Sequence, residues 1–176
     1  MNSLTIIITG ANGFIGTKLV NYFSSKNWNV IAFVHHLPKE KLENVVYREY
    51  DLTKSQNEDS FIHADYMIHA AYMKKEMHPN AFEINIQGAK DLLSASRKYN
   101  LKKNIFISSM SSRPDALSDY GKQKFIIEKL FNTKEDVIIR PGLVLGDGAL
   151  AKEIFTFIKK KKIYKSIFLR ILIGFA

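Results

Sequence analysis

The chain has 176 residues, of which 46% are hydrophobic and 24% are charged, and it contains no cysteine. Its size and composition are those of one globular domain, and the lack of cysteine excludes disulfides, thiolate metal sites and a cysteine nucleophile. The net charge is +9, but residues 151–176 hold seven basic side chains and one acidic one. Because the basicity belongs mostly to this C-terminal segment, we expect no nucleic-acid partner.

The apolar pattern predicts strands and helices that alternate along the chain. Short, apolar, β-branched runs typical of buried strands cover residues 4–8, 30–34, 45–50, 66–71, 105–108 and 137–140. Apolar residues at helical spacing cover residues 14–25, 80–99, 120–131 and 149–158. This alternation predicts an α/β fold, a Rossmann-like doubly wound parallel sheet with helices on both faces.

A glycine-rich turn follows the first predicted strand and reads Thr9-Gly10-Ala11-Asn12-Gly13-Phe14-Ile15-Gly16. Gly10 allows a tight turn, Gly13 lets the backbone approach a pyrophosphate, and Gly16 lets the helix pack closely on the strand. The N-terminus of the next helix presents unpaired N–H groups and a partial positive charge to phosphates. Since a strand precedes the turn and a helix follows it, the segment predicts dinucleotide binding rather than an ordinary turn.

The end of the second predicted strand bears on the choice of cofactor. NAD enzymes place an acid there to hold the ribose 2′-hydroxyl, whereas NADP enzymes place a positive group there. This chain has His35 and His36 at that position, with Lys39 close behind and no acid. The cofactor is therefore predicted to be NAD or NADP, with a slight preference for NADP. The alternative is that the two histidines are exposed and have no role.

Four tyrosines are followed by lysine at the fourth position, so this spacing selects no site by itself. They are Tyr22/Lys26, Tyr50/Lys54, Tyr99/Lys103 and Tyr120/Lys124. The last pair is the candidate, because it opens a helix after a serine-rich strand end, and residues four apart share a helix face. A nearby ammonium is expected to lower the pKa of the Tyr120 phenol. The apolar pattern of the first helix predicts that Tyr22 lies in the core.

Several motifs in order resemble those of the extended short-chain dehydrogenase/reductase family, of the NAD-dependent epimerase/dehydratase type that acts on nucleotide-sugars. The resemblance covers residues 4–148. Besides the glycine turn, the matching segments are Asp51-Leu52, His69-Ala70-Ala71 against H-x-A-A, Asn85-x-x-Gly88, Ser108-Ser109-Met110-Ser111, Tyr120-x-x-x-Lys124 and Arg140-Pro141-Gly142.

The resemblance implies cofactor-binding residues. They are Gly10, Asn12, Gly13, Phe14, Ile15, Gly16, His35, Asp51, Leu52, Ala70, Ala71 and Lys124, of which Asp51 and Leu52 lie beside the adenine and Lys124 binds the nicotinamide ribose. His69 is expected to pack beside the cofactor. Arg140 either meets a substrate phosphate or is a surface charge. His63 and His78 have no partners at ligand spacing, so no metal is expected.

The resemblance also implies a catalytic set. Tyr120 removes a proton from a substrate hydroxyl as hydride leaves for NAD(P)⁺. The family's substrate-binding serine or threonine aligns with Met110, which cannot do this. Ser111 is the first candidate in its place and Ser109 the second, since strand alternation would point both to one side. The alternative is that both are turn serines.

The expected organisation is an NAD(P)-binding Rossmann domain over residues 1–148 and a basic apolar tail over 149–176. The tail stands where the family has its substrate-binding part, so the chain resembles a C-terminally truncated member. A non-catalytic dinucleotide-binding protein or an inactive remnant is the alternative function.

The tail is too short and charged to span a membrane, and contact with a membrane surface is the less favoured interpretation. The N-terminus shows no signal peptide, so we expect a cytoplasmic protein, with a homodimer as a further expectation.

Overall fold

Six strands form one sheet in the computed structural model of this protein. The structure describes residues 3–54, 58–131, 134–142 and 144. The strands are β1 (Thr5–Thr9), β2 (Asn29–Val34), β3 (Val45–Glu49), β4 (Tyr66–His69), β5 (Lys103–Ile107) and β6 (Val137–Ile139). The helices are α1 (Phe14–Ser25), α2 (Ala81–Lys98) and α3 (Asp119–Glu128), with a short 3₁₀ helix at Glu58–Phe61.

The strands are all parallel and follow the order β3-β2-β1-β4-β5-β6. The order reverses between β1 and β4, which are neighbours in space although two strands separate them in sequence. In doubly wound sheets, ligands bind at the carboxyl ends of the strands beside this reversal. The predicted Rossmann-like α/β fold is confirmed, and the fold places the glycine turn after β1 at this edge.

Alternating side chains of β1 build two apolar layers, one on each face of the sheet. Ile6 and Ile8 pack on one face with Val20 of α1. Ile7 points to the other face and joins a cluster that includes Leu92 of α2 and Ile127 of α3. Each fully buried aliphatic side chain stabilises the fold by roughly 1.5–3 kcal/mol. Helices cover both faces as predicted, because every second residue of a buried strand faces a different layer.

Two sequence-based expectations about local structure are wrong. Tyr22 is 57% exposed, because α1 turns Leu19 and Phe23 towards the sheet and leaves Tyr22 on its outer side. The fifth strand ends at Ile107, and Met110 and Ser111 lie in a turn, so strand alternation does not extend to Ser111.

The chain divides into two units, Met1–Gly142 and Leu143–Ala176, and the architecture above belongs to the first. The predicted helix at 149–158, the boundary at residue 148 and the tail over 149–176 lie outside the described residues. Among the helices that the structure describes, none is long and apolar enough to cross a bilayer.

Candidate active site

The glycine turn is closed tightly against the end of β4. Gly10 has a φ of +66°, a conformation that other residues rarely adopt, and a Cβ there would lie 2.7 Å from the Cα of Ala71. A Cβ on Gly16 would lie 2.1 Å from the carbonyl oxygen of Gly10. Gly13 donates its N–H to that same oxygen at 2.8 Å. The turn therefore presents bare backbone at the start of α1, the geometry that a pyrophosphate requires.

Thr9 joins the ends of β1 and β4 beneath this turn. Its hydroxyl oxygen accepts hydrogen bonds from the N–H groups of Ala70 (3.2 Å) and Ala71 (3.1 Å). With both lone pairs used, the hydroxyl donates to Nδ1 of His69 at 2.9 Å. Burial, reinforced by the charge of Lys124, lowers the pKa of His69 from 6.5 to about 3. His69 is therefore a neutral structural side chain, stacked on Phe106, and it fixes the segment that the cofactor would contact.

His69 makes the fold sensitive to mild acid. Because the pKa of His69 is lower in the folded chain than in the unfolded one, its contribution is complete above pH 6.5 and is lost as the pH falls towards 3. The loss is about 1.4 kcal/mol for each pH unit below 6.5, or roughly 2 kcal/mol between pH 6.5 and 5. Urea unfolding at pH 7.5 and 5.0 should show this loss in the native chain and not in His69→Gln. An equal loss in both chains would contradict it, and His63→Gln, an exposed histidine, is the matched control.

The residues predicted to lie beside the adenine are held in place locally. The Asp51 carboxylate accepts hydrogen bonds from the backbone N–H (2.9 Å) and hydroxyl (2.8 Å) of Thr53, which hold its pKa below the usual range. Leu52 packs against α2, where a Cβ on Gly88 would come within 2.4 Å of Leu52 Cδ2. This contact explains the glycine of the Asn85-x-x-Gly88 motif, because any larger side chain would displace Leu52.

The two histidines after β2 are exposed and face each other. Nδ1 of His35 lies 2.8 Å from Nε2 of His36, and the Asn12 side-chain amide donates to the carbonyl oxygen of His36 at 2.6 Å. Asn12 thereby ties the glycine turn to this loop. His35 is close enough to Asp51 to lower the pKa of that carboxyl through its charge. The loop is thus placed beside the turn, with imidazoles where an NAD-specific site would have an acid.

Tyr120 and Lys124 lie on the first two turns of α3, which Ser118 caps by accepting the N–H of Gly121. Lys124 is 3% exposed, and its ammonium donates to the Ile107 carbonyl oxygen at 2.8 Å. Burial lowers the pKa of Lys124 from 10.5 to about 8, against the opposing charge of Glu128. Lys124 is therefore mainly in its charged ammonium form at neutral pH, which lies only slightly below its pKa.

The pKa of Tyr120 departs from the expectation that Lys124 would lower it. Burial of the phenol raises this pKa, and a hydrogen bond from the Ser109 side chain opposes the rise. The Lys124 ammonium lies 5.7 Å from the centre of the Tyr120 ring and is bound to Ile107. Burial thus sets the direction of the Tyr120 pKa shift, and the opposing cause is the Ser109 hydrogen bond.

Of the two candidate serines, the structure places Ser109 against Tyr120. Ser111 is exposed, and its N–H donates to the Ser109 side chain at 3.1 Å. The Ser111 carbonyl oxygen lies so close to α3 that a Cβ on Gly121 would approach it to 2.4 Å. The structure thus brings Ser109, the second candidate, to the phenol and leaves Ser111, the first candidate, exposed. Met110 is exposed beside it.

Sequence reasoning missed Glu128, which anchors α3 to the sheet. The side chain is buried, accepts the hydroxyl of Ser108 at the end of β5, and forms a two-point ion pair with Arg140 after β6. The distances from Arg140 Nε and Nη2 are 2.9 and 2.6 Å. Arg140 is therefore a partly exposed charge that is paired with a buried carboxylate. The spacing of four residues between Lys124 and Glu128 was the available signal, since it puts both on one helix face.

Asn85 on α2 has a structural role that the motif alone did not indicate. Its side-chain amide pairs with both the N–H and the carbonyl oxygen of Met73, each at 2.8 Å. It also donates to the carbonyl oxygen of Ala81 at 2.7 Å and meets the Gln123 side chain of α3 at 3.4 Å. Asn85 thus fixes the segment after β4 and links it to the helix that carries Tyr120.

A parallel sheet with this strand order, a glycine turn at its switch point and a tyrosine–lysine helix beside it define the dinucleotide-binding class of α/β proteins. Within that class, the chain belongs to the NAD dependent epimerase/dehydratase family, whose family model matches residues 6–160. The predicted family resemblance is confirmed.

Curated relatives extend well beyond the length of this chain. A UDP-glucose 4-epimerase from Vibrio cholerae is 26% identical over 176 aligned positions, covering 84% of this chain and 54% of the relative. The NADH-ubiquinone oxidoreductase 40 kDa subunit of Neurospora crassa mitochondria is 27% identical over 153 positions, covering 81% and 41%. The chain thus spans about half the length of the curated relatives it matches.

A solved structure with the same fold is the UDP-glucuronic acid 4-epimerase from Bacillus cereus in complex with NAD. It superposes with a TM-score of 0.71 at 22% identity and covers 89% of this chain and 63% of that one. At this level of identity, the likeness supports the fold.

Proposed function

We propose that this chain binds NAD(H) or NADP(H) across the carboxyl ends of β1, β2 and β4. The bare glycine turn would hold the pyrophosphate at the start of α1. Asp51 and Leu52 would flank the adenine, and Ala70 and Ala71, fixed by Thr9, would line the other side. The family is NAD dependent. His35 and His36 stand where an NAD-specific site has an acid, so affinity should be measured for both cofactors.

We further propose hydride transfer on a nucleotide-sugar, carried by one observation: Ser109, Tyr120 and Lys124 meet at the same edge of the sheet as the glycine turn. The cofactor would supply the hydride acceptor. Tyr120 would take the proton of a substrate hydroxyl, and Ser109 would orient that oxygen. Lys124, placed between strand and phenol, would contact the nicotinamide ribose and favour the phenolate once its ammonium turns from Ile107 to the site.

Tyr120→Phe is expected to reduce turnover of a nucleotide-sugar by roughly 10²–10⁴-fold, the usual effect of losing a general acid–base group. Affinity for NADH, measured by fluorescence titration, should stay within about twofold, because phenylalanine keeps the ring. UDP-glucose and UDP-glucuronic acid are the first substrates to test, since relatives are named for them.

The matched control is Tyr22→Phe. Like Tyr120, Tyr22 lies on a helix four residues before a lysine, and its side chain is exposed. This substitution should leave both turnover and binding unchanged. Full turnover in Tyr120→Phe would reject the assignment of Tyr120 as the base.

A non-catalytic dinucleotide-binding protein is the second candidate. The observation that favours it is the raised pKa of Tyr120, which keeps the phenol protonated. A relative named as a 40 kDa subunit of NADH-ubiquinone oxidoreductase supports it as well. NADH binding without turnover over a panel of nucleotide-sugars would support this candidate, and turnover of any of them would exclude it.

A further inference from the structure

The segment after β4 carries an aromatic side chain that the glycine turn and the catalytic set do not account for. The H-x-A-A pattern has alanine at its fourth position, and this chain has Tyr72 there. We propose that Tyr72 is a positioning residue for the Tyr120–Lys124 pair, one that holds the phenol edge-on and shields the ammonium from water. This inference rests on the proposed function for its catalytic consequence, but its structural part can be measured without turnover.

Tyr72 is fixed by hydrogen bonds on both sides along the chain. Immediately before it, the N–H of Ala71 donates to the buried hydroxyl of Thr9. Immediately after it, Met73 is paired through both backbone groups with the buried amide of Asn85. The two anchors come from β1 and α2. The backbone on both sides of Tyr72 is thus held by the sheet and by α2.

The ring of Tyr72 contacts both members of the pair. Its centre lies 5.0 Å from that of Tyr120 with the planes at 90°, the favourable edge-to-face arrangement. The Lys124 ammonium lies 5.5 Å from the Tyr72 ring, 4.6 Å from the Phe106 ring and 5.7 Å from the Tyr120 ring. Aromatic faces attract the ammonium while they exclude water. Alanine at position 72 would open one of these three sides.

Burial and the charged groups around Lys124 determine whether its pKa rises or falls when the Tyr72 ring is removed. Glu128, one turn along α3, raises the pKa of Lys124, whereas burial, the larger cause, lowers it. His69, which interacts with Lys124, is neutral. Burial first, and then the charges of Tyr120, Glu76 and Asp119, raise the pKa of Tyr72 and keep its hydroxyl protonated. Because burial dominates at Lys124, removing the ring should hydrate the ammonium and raise the pKa of Lys124.

The test is to titrate the lysine side chains of the full chain by NMR with isotope-labelled lysine. The Lys124 signal should titrate near pH 8 and be missing in Lys124→Met. Tyr72→Ala should raise the pKa of Lys124 by about one unit, and Tyr72→Phe should restore the native titration because it keeps the ring. The two variants should also differ in turnover. In Tyr72→Ala, kcat should fall about tenfold and its pH profile should move to higher pH, whereas Tyr72→Phe should keep most of the native kcat.

Tyr22→Ala is the matched control, since Lys26 lies 6.0 Å from that ring on the exposed face of α1. It should change neither readout. An unchanged Lys124 titration in Tyr72→Ala would overturn the proposal, and so would a Tyr72→Phe chain that behaves like Tyr72→Ala. If Tyr72→Ala does not fold, Tyr72→Gln replaces it with the same expected direction, because its polar side chain also hydrates the ammonium. Absence of turnover in the native chain would contradict the proposed function, while the titration would still decide the role of Tyr72.

Discussion

Lys124→Met should stabilise the fold and remove turnover at the same time. Burial lowers the pKa of Lys124 from 10.5 to about 8, so keeping the ammonium charged at neutral pH costs up to about 3 kcal/mol. Methionine has a similar length and no charge, but it leaves the carbonyl oxygen of Ile107 without the hydrogen bond from Nζ. That loss offsets part of the gain. We expect a net stabilisation of roughly 1–2 kcal/mol, measured by urea unfolding at pH 7.

The stabilisation should depend on pH with a definite sign. The pKa of Lys124 is lower in the folded chain than in the unfolded one. The free energy of unfolding of the native chain is therefore highest above pH 10.5, and it decreases as the pH falls from 10.5 to 8. The native chain should therefore approach Lys124→Met in stability as the pH rises from 8 to 9.5. Lys122→Met, an exposed lysine on the same helix, is the control and should change stability by less than about 0.5 kcal/mol.

Measurements of turnover should distinguish the proposed catalytic role of Lys124 from its effect on stability. If Lys124 holds the nicotinamide ribose and favours the Tyr120 phenolate, Lys124→Met should lower turnover by at least about 100-fold. A variant that is more stable and inactive fits a functional site that is maintained at the expense of stability. A variant that is less stable than the native chain at pH 7 would contradict the burial argument.

Gly16→Ala should disrupt the phosphate-binding turn. The added methyl group would lie 2.1 Å from the carbonyl oxygen of Gly10 and 2.8 Å from the Cα of Ala11. Both atoms are backbone of the turn itself, so the clash can be relieved only when α1 or the turn moves. Overpacking against backbone should cost about 3 kcal/mol or more. NADH affinity should fall by at least about 100-fold, because the displaced N–H groups no longer converge on the pyrophosphate.

The control for this substitution is Gly142→Ala, where a Cβ meets nothing within 4 Å. It should leave both unfolding and NADH binding unchanged. Native NADH affinity in a stable Gly16→Ala chain would show that the cofactor does not sit on this turn.

The strand and helix order was predictable from local pattern. Buried parallel strands are short apolar runs, and β1, β2 and β4 lie at the centre of the sheet, where both faces are covered. The glycines could be assigned because their roles are backbone roles: Gly10 needs a positive φ and Gly16 needs the absence of a Cβ. Each of these requirements depends on a single residue or on a short spacing, so the sequence alone indicates it.

The expectations that failed concern directions that periodicity does not determine. Tyr22 fits an apolar stripe, but α1 is rotated so that its neighbours face the sheet. The serines follow a strand that ends at Ile107, so their side chains are aimed by a turn and by the packing of Gly121 on Ser111. The ion pair between Arg140 and Glu128 of α3 is a further contact that periodicity does not indicate, and it leaves the role proposed for Arg140 open.

The amino-acid sequence alone thus determined the fold class and the backbone roles of the glycines in the turn, and it predicted Tyr120 and Lys124 as the functional pair among four similar pairs. Tertiary structure decided which serine meets the phenol, that Glu128 anchors α3, and that Tyr72 faces both Tyr120 and Lys124. It also decided the pKa values of Lys124 and His69. The physical reason is that local pattern follows from neighbours in sequence, whereas burial and charge at the site arise from side chains that separate strands and helices bring together.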